Sequence, residues 1–213
     1  MWAQDKQRAW RELVRVEDVT SEPRVVAGVD LAYEAGCDRA VAAAVAIDLD
    51  TLEQCGSATV EGRVRFGYAP GLLGFREVPL SAEAVSRLPV PVDAVVCDGH
   101  GLAHPRGFGL ACHLGVHLDV PSIGVAKNPP AFDVTAPGEK RGSTTEIIHD
   151  AAVVGACLRT RDRVKPVYVS VGHRLSLAAA VDITLRLARD QRLPESTRSA
   201  DRLARRVLAE TVG

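Results

Sequence analysis

Residues 93–101 of the chain are Asp-Ala-Val-Val-Cys-Asp-Gly-His-Gly. A short apolar run that stops at an acid and two glycines is typical of a buried strand that ends at the edge of a sheet. Residues 25–30, Val-Val-Ala-Gly-Val-Asp, have a similar pattern earlier in the chain. We therefore predict two buried strands that end at Asp30 and Asp98, in the position where ligands of α/β proteins commonly bind.

The segments around these two strands predict an α/β fold with a mixed sheet. Hydrophobic patterning predicts strands over residues 24–31, 40–49, 52–60, 93–97, 120–126, 143–148, 151–158 and 167–171. It predicts helices over residues 3–18, 81–88, 106–118, 175–189 and 197–210. Ser81 is placed to cap the second helix, after a loop rich in Gly and Pro over residues 67–74. Because no repeat or low-complexity linker divides the chain, we predict a single domain over residues 1–213 with a central sheet flanked by helices.

The composition indicates a globular protein of the cytoplasm. The chain has 213 residues, of which 46% are hydrophobic, enough for a core that needs neither metal nor disulfide to fold. No apolar run is long enough to span a bilayer, and the N-terminus lacks the plan of a signal peptide, so we predict no membrane partner. The five cysteines are scattered without a Cys-x-x-Cys pair, which argues against a disulfide framework or a thiolate zinc site.

The charge is balanced overall but unevenly distributed. The formal net charge is −1, which argues against a protein that holds nucleic acid by bulk electrostatics. Residues 139–213 nevertheless carry 14 Lys and Arg against 9 Asp and Glu, whereas residues 1–138 carry 12 against 18. Carboxylates gathered for a metal and a basic part that binds phosphates would produce this asymmetry, and so would ordinary scatter of surface charge.

The acids at the strand ends predict a metal site. If the two strands are neighbours, the carboxylates of Asp30 and Asp98 converge and repel each other, and a divalent cation removes that repulsion. Glu77 offers a third carboxylate from the loop after Tyr68. Oxygen ligands favour Mg²⁺ or Mn²⁺ over zinc, and carboxylate-held Mg²⁺ typically acts on phosphate esters. For each acid alone, a solvated strand end or helix cap remains the alternative.

The histidines have a spacing that could bind zinc, although their context argues against it. His100 and His104 are four residues apart, as are His113 and His117. The Gly-rich segment around His100 does not favour a helix, and the second pair has no Glu in the zincin arrangement. We therefore expect His113 to pack against the sheet and His104 to face the acids.

Four long motifs resemble those of the endonuclease V family. The most extensive runs from Asp98-Gly-His-Gly-Leu-Ala-His-Pro-Arg106 through Gly109–His113 to Val120-Pro-Ser-Ile-Gly-Val-Ala-Lys127. The others are Tyr68–Glu77 with the upstream Gly28-Val-Asp30, the stretch Gly172-His-Arg-Leu-Ser-Leu177, and Leu193-Pro-Glu-Ser-Thr-Arg198. The resemblance keeps its order over roughly residues 25–201, nearly the whole chain.

The resemblance implies an RNase H-like fold, with helices on both faces of a mixed sheet, and a nuclease of nucleic-acid repair. The family hydrolyses the second phosphodiester on the 3′ side of deoxyinosine, leaving a 3′-hydroxyl and a 5′-phosphate. It uses Mg²⁺, for which Mn²⁺ can substitute, and some members prefer inosine in RNA. The expected partners are therefore DNA that contains deoxyinosine, or RNA that contains inosine, bound by a monomer.

Carried over motif by motif, the resemblance assigns roles to individual residues. Asp30, Glu77 and Asp98 match the metal-binding acids, His104 matches a histidine near the metals, and Lys127 matches a lysine that contacts the scissile phosphate. Tyr68 matches the wedge, whose ring fills the gap left by an extruded base, and Pro70 lies in the same loop. The base pocket, which is lined largely by backbone, matches Gly71, Leu73, Gly109 and Leu110. For Tyr68 the alternative is a ring tucked onto the core, and for the two glycines it is turn chemistry.

The chain departs from the family pattern at the wedge. Gly67-Tyr68-Ala69-Pro70 stands where Pro-Tyr-Ile-Pro is common, and Gly74 stands where a bulky residue is frequent. We expect a looser loop and a smaller wedge, with an effect on lesion affinity and on the preference for DNA or RNA. Asp201 falls where the family often has Asp or His near the site. Two alternatives stay open: an RNase H-like nuclease with another target, and a binding module that does not cut.

Overall fold

The computed structural model of the protein describes residues 2–17 and 22–211. The helices are α1 (Trp2–Arg11), α2 (Leu73–Ser86), α3 (Leu110–Leu118), α4 (Leu177–Ala188) and α5 (Glu195–Thr211). The strands are β1 (Val25–Tyr33), β2 (Arg39–Asp48), β3 (Gln54–Arg63), β4 (Ala94–Cys97), β5 (Ser122–Ala126), β6 (Thr144–His149), β7 (Ala152–Leu158) and β8 (Val167–His173). All eight predicted strands are present, with ends that shift by a few residues.

The strands form one mixed sheet in the order β3-β2-β1-β4-β5-β8-β7-β6. The first three strands are antiparallel neighbours, and β1, β4 and β5 are parallel to one another. From β5 onwards the neighbours β8, β7 and β6 are again antiparallel. Short turns therefore build the two outer parts of the sheet, and the parallel centre carries the strand ends that the sequence singles out.

Helices cover both faces of the sheet, as predicted. Residues of α4 and α5 pack with one set of strand side chains, in a core that includes Val26, Val96 and Ile183. Residues of α2 pack with the alternate set, in a second core that includes Val29 and Val78. The alternation arises because successive side chains of a strand point to opposite faces.

Gly28 lets α5 lie directly against the central strand. A Cβ atom at Gly28 would stand 2.2 Å from the carbonyl carbon of Ser196 and 2.3 Å from the backbone nitrogen of Thr197. A larger residue could not fit in that space, so the first turn of α5 sits on β1. This contact fixes the position of the helix next to Asp30.

Three helix boundaries differ from the prediction by four residues or more, and the others by two residues or fewer. Helix α1 ends at Arg11 instead of residue 18, and residue 18 itself lies outside the described residues. Helix α2 begins at Leu73 instead of Ser81, so Ser81 is a buried residue inside the helix and not its cap. Helix α3 begins at Leu110 because the residues before it form a turn in which Gly107 has a φ of +58°.

Helix α2 begins earlier than the helix propensity of the local sequence predicts. Gly74 and Pro79 both lie inside the helix, where each lowers helix propensity. The helix forms because its buried residues, among them Val78, Ala82 and Ala84, pack against the sheet. Most helical stability in proteins comes from such packing, which local sequence does not reveal.

Strand β1 also continues beyond the predicted end. It extends three residues past Asp30 to Tyr33, because residues 31–33 pair with the start of β2. Asp30 is therefore an inner residue of a long strand, although it still lies beyond the last residue of β1 that pairs with β4. Within the described ranges, no helix has the length and apolar character needed to cross a membrane.

Candidate active site

The parallel centre of the sheet brings three predicted residues together. Val29 pairs with Cys97, so Asp30 and Asp98 follow paired residues on neighbouring parallel strands. Lys127 follows the last residue of β5, the next strand in the sheet, and its Nζ forms an ion pair with the Asp98 carboxylate. The parallel register of β1 and β4 thus brings the two acids together, as predicted.

The electrostatic setting of Asp30 reflects this crowding. Burial and, after it, the charge of Asp98 raise the pKa of Asp30 to about 6. Burial lowers the pKa of Lys127, but the carboxylates of Asp98 and Asp30 outweigh this effect. The pKa of Lys127 is therefore above its ordinary value. The carboxylates of the cluster therefore stabilise the charged form of Lys127.

Glu77 approaches the same region from a helix, not from the predicted loop. It lies inside α2 with 9% of its surface exposed, and the Tyr33 hydroxyl donates a hydrogen bond of 2.6 Å to its Oε1. Burial raises the pKa of Glu77 to about 7; the hydrogen bond from Tyr33 opposes the shift, and the charges of Asp30 and Asp98 add to it. The three acids thus interact electrostatically, and their joint binding of a metal stays a prediction.

A cavity of about 320 Å³ opens at this end of the sheet. Its wall contains Asp30, Asp98 and Lys127 from the strands, and Leu193, Thr197, Arg198, Asp201 and Arg202 from α5 and the segment before it. We call it the acid cavity. The packing of α5 on Gly28 places Asp201 there, which the weak motif match only suggested. Asp201 accepts a hydrogen bond of 2.6 Å from Arg205 Nε.

The donor chemistry of the acid cavity fits a hard divalent cation. The carboxylates that line it, Asp30, Asp98 and Asp201, supply oxygen ligands, and burial together with the charge of Asp98 raises the pKa of Asp30. As the side chains of the described residues stand, no three His, Cys, Asp or Glu are close enough to hold a metal ion. Two of the three predicted metal-binding acids already have partners: Asp98 pairs with Lys127, and Glu77, which does not line the acid cavity, accepts a hydrogen bond from Tyr33.

A second cavity, of about 190 Å³, collects most of the predicted base-pocket residues. We call it the backbone cavity. Its wall contains the predicted Tyr68, Gly71, Leu73, Gly109 and Leu110, together with Gln7, Ala69, Gly74, Gly99, His100 and His104. Pro70, also predicted to bind substrate, is exposed in the same loop and does not line the cavity.

Tyr68 stands at the surface and not against the core. Its side chain is 74% exposed, which contradicts the alternative of a tyrosine tucked onto the core. Gly71, in the same loop, has a φ of +74°, a conformation that residues with a side chain rarely adopt. The loop thus presents an aromatic ring at the rim of the backbone cavity.

His104 lies in the wall of the backbone cavity, and the expectation that it faces the acids is not met. Its Nε2 is 3.1 Å from the carbonyl oxygen of Gly71, and its Nδ1 accepts a 3.2 Å hydrogen bond from the backbone N–H of Arg106. Burial, together with the charge of Arg106, lowers the pKa of His104 to about 4, so the ring is neutral. A role near the metals stays a prediction.

The other predicted histidine position is wrong. His113 packs among the rings of Trp10, Phe75 and Phe108, between α1, α2 and α3, and not on the sheet. Its place explains the departure at Gly74, because a Cβ atom there would stand 2.6 Å from His113 Nδ1.

Several residues that line the two cavities were not predicted individually. Arg198 and Arg202 lie four residues apart on α5, and both pair with Glu195. Their helical spacing was a signal that could have identified them. Gln7 and His100 carry no such signal, because their positions depend on contacts across the fold. His100 Nδ1 is buried, and no partner for it lies among the described residues.

Comparison with known proteins identifies the family. The profile of the endonuclease V family matches residues 8–202. The chain is 49% identical over 213 residues to endonuclease V of Streptomyces coelicolor, covering 97% of this chain and 91% of the relative. The chain belongs to the endonuclease V family. The resemblance deduced from the motifs is thereby confirmed.

Solved structures of endonuclease V support the fold, and one of them contains DNA. The crystal structure of endonuclease V from Streptomyces avermitilis is 48% identical, covers 100% of this chain and 94% of its own, and superposes with a TM-score of 0.94. This agreement confirms the RNase H-like α/β fold. Endonuclease V from Ciona intestinalis, 26% identical with a TM-score of 0.85 and covering 97% and 96% of the two chains, was solved with a 24mer DNA that contains an inosine followed by a ribo-adenosine.

Proposed function

We propose that this chain is a Mg²⁺-dependent endonuclease that recognises hypoxanthine in nucleic acid and cuts the backbone beside it. The observation that carries the proposal is the adjacency of the two cavities: Asp98 lines the acid cavity, and Gly99, the next residue, lines the backbone cavity. A base held in the backbone cavity would have nearby phosphates beside the carboxylates and Lys127. Membership of the family supports this order of base and scissile bond.

The proposed cut is at the second phosphodiester on the 3′ side of the base, leaving a 3′-hydroxyl and a 5′-phosphate. The inosine-containing DNA bound by the Ciona relative supports inosine as the recognised nucleoside. Deoxyinosine in DNA and inosine in RNA share the hypoxanthine base and differ at the 2′ position of the sugar. The experiment below therefore has an arm for each.

The proposed ligands of Mg²⁺, for which Mn²⁺ can substitute, are Asp30, Glu77 and Asp98. The pKa values of Asp30 and Glu77, about 6 and about 7, support this, because a divalent cation offsets the cost of burying neighbouring carboxylates. When bound, the ion supplies Lewis-acid chemistry, which activates water and offsets charge on the leaving oxygen. Asp201 lies in the same cavity and interacts electrostatically with Asp30.

The remaining residues of the acid cavity bind and stabilise the phosphate backbone. The Lys127 ammonium can offset the negative charge that builds on the phosphate during hydrolysis. Arg198 and Arg202 line the same cavity, and guanidinium groups are suited to the flanking phosphates.

The backbone cavity and its rim recognise the base. An extruded base leaves a gap in the stack, and the exposed ring of Tyr68 can fill it. Hypoxanthine has a carbonyl at position 6 where adenine has an amine. A backbone N–H of the wall can therefore donate a hydrogen bond to position 6 of hypoxanthine and not to that of adenine. Close approach of a flat purine to the main chain is possible because Gly71 and Gly109 lack side chains.

The test is a nicking assay on matched deoxyinosine DNA, inosine RNA, mismatched DNA and flap DNA, with Mg²⁺ and with a chelator. We expect Asp98→Ala to reduce nicking by about 100-fold or more while binding is retained, because the variant loses a metal ligand and not the base pocket. The matched control is Asp190→Asn, an exposed acid outside both cavities. Full cleavage by Asp98→Ala, or wild-type cleavage in chelator, would contradict the metal assignment. Faster cleavage of flap or mismatch DNA would favour the alternative nuclease.

A further inference from the structure

The carbonyl oxygen of Gly71 contacts three side chains that lie far from it in sequence. Gln7 Nε2 donates a hydrogen bond of 2.9 Å, Arg106 Nη2 donates one of 2.7 Å, and His104 Nε2 lies 3.1 Å away. One backbone carbonyl with three side-chain donors is an unusually fixed group, since it has only two lone pairs to share.

The tautomer of His104 follows from its contacts. The backbone N–H of Arg106 donates to Nδ1, so the proton of the neutral ring must be on Nε2. Nε2 therefore donates to Gly71. His104 acts here as a fixed donor to the loop.

Gln7 connects this carbonyl to the other wall of the backbone cavity. Besides Gly71, its amide nitrogen donates a 2.9 Å hydrogen bond to the carbonyl of Phe108, the residue before Gly109. Its Oε1 accepts a 2.5 Å hydrogen bond from Arg106 Nε. Gln7 is only 3% exposed, and these three contacts use both its donors and its acceptor.

The two backbone segments joined by Gln7 are the ones that face each other across the cavity. Gly71 lies in the loop before α2 and Leu73 begins that helix, whereas Gly109 precedes α3 and Leu110 begins it. These segments are more than thirty residues apart in sequence, and a side chain of α1 ties them together. The bridge also explains the glycine, because a Cβ atom at Gly71 would stand 2.6 Å from Arg106 Nη2.

We infer that Gln7 is a positioning residue that sets the spacing between the two backbone walls and thereby the discrimination between hypoxanthine and adenine. The inference rests on the proposed function, since it assigns the base to this cavity. Gln7 need not contact the base to act in this way. A backbone donor that is displaced or turned away makes a weaker hydrogen bond to the carbonyl that distinguishes the two purines.

The test compares Gln7→Leu with wild type as the ratio of kcat/KM on deoxyinosine DNA to kcat/KM on the same DNA with deoxyadenosine. We expect the ratio to fall by about tenfold, which corresponds to one misplaced hydrogen bond. The matched control is Gln4→Leu, one turn earlier on the same helix and outside the cavity, with an expected ratio equal to that of wild type. A merely structural role would lower both rates together and leave the ratio unchanged.

A second variant keeps the inference testable if Gln7→Leu does not fold. Arg106→Lys retains the charge but loses the fork that holds both Gly71 and Gln7, and it should lower the same ratio. An unchanged ratio in a folded variant would overturn the inference alone. A wild-type chain with no preference for deoxyinosine would overturn the proposed function and the inference with it.

Discussion

At the scale of the residue, replacing the exposed Tyr68 is the most direct test of the proposed base extrusion. The ring makes few contacts in the free protein, so we expect Tyr68→Ala to change the free energy of unfolding by less than about 0.5 kcal/mol. The variant should lose preference for deoxyinosine in duplex DNA by about tenfold, because base–aromatic stacking contributes roughly 1–3 kcal/mol. Competition binding with inosine-containing and undamaged duplexes measures the effect.

The conservative variant Tyr68→Phe is the control, since it keeps the ring and removes only the hydroxyl. It should retain the preference of the wild type. If Tyr68→Ala lost affinity equally for a flexible, pre-nicked duplex, where extrusion costs little, the ring would not act as a wedge. The glycine and alanine that flank it suit a loop whose aromatic tip would adjust to the strand in the proposed complex.

At the scale of the element, the contact between α5 and β1 decides whether the acid cavity exists. Gly28→Ala places a methyl group on the backbone of Ser196 and Thr197, so α5 must move away from β1. We expect a loss of roughly 1–3 kcal/mol in the free energy of unfolding, the usual cost of overpacking, measured by denaturant titration. Nicking should fall further than the unfolded fraction explains, because Arg198, Asp201 and Arg202 move with the helix.

Gly67→Ala is the matched control for this substitution. Gly67 has open space around its Cβ position, so the added methyl group should leave the free energy of unfolding within about 0.5 kcal/mol of the wild type. Equal stability of Gly28→Ala and Gly67→Ala would show that the close packing of α5 is dispensable.

At the scale of the whole molecule, a net charge of −1 means that the proposed nucleic-acid substrate would be held by local groups and not by a general positive field. Replacing Arg198 and Arg202 together by Gln should therefore lower affinity and reduce the slope of log Kd against log salt by up to about 2. The control pair is Arg161→Gln with Arg163→Gln, exposed and outside both cavities. An equal loss in the control pair would indicate diffuse electrostatic binding. Fluorescence anisotropy across a salt series supplies the measurement.

The sequence by itself determined the strands, the two acids at the parallel centre and the family. These features follow from local patterns: apolar runs of strand length, an acid directly after each run, and motifs of consecutive residues. Helix boundaries were less accessible, and α2 shows why. Its Gly and Pro predict a loop, but the burial of Val78, Ala82 and Ala84 outweighs their local cost.

Only the tertiary structure decided how the chain closes around the two cavities. It placed Glu77 on a helix, carried Asp201 to Asp30 through the glycine contact of α5, and put His104 against Gly71. It also joined Gln7 to Gly71 and Phe108, which lie 64 and 101 positions further along the chain. The physical reason is that hydrogen bonds and close packing between distant segments depend on three-dimensional distance, which no local pattern of residues encodes.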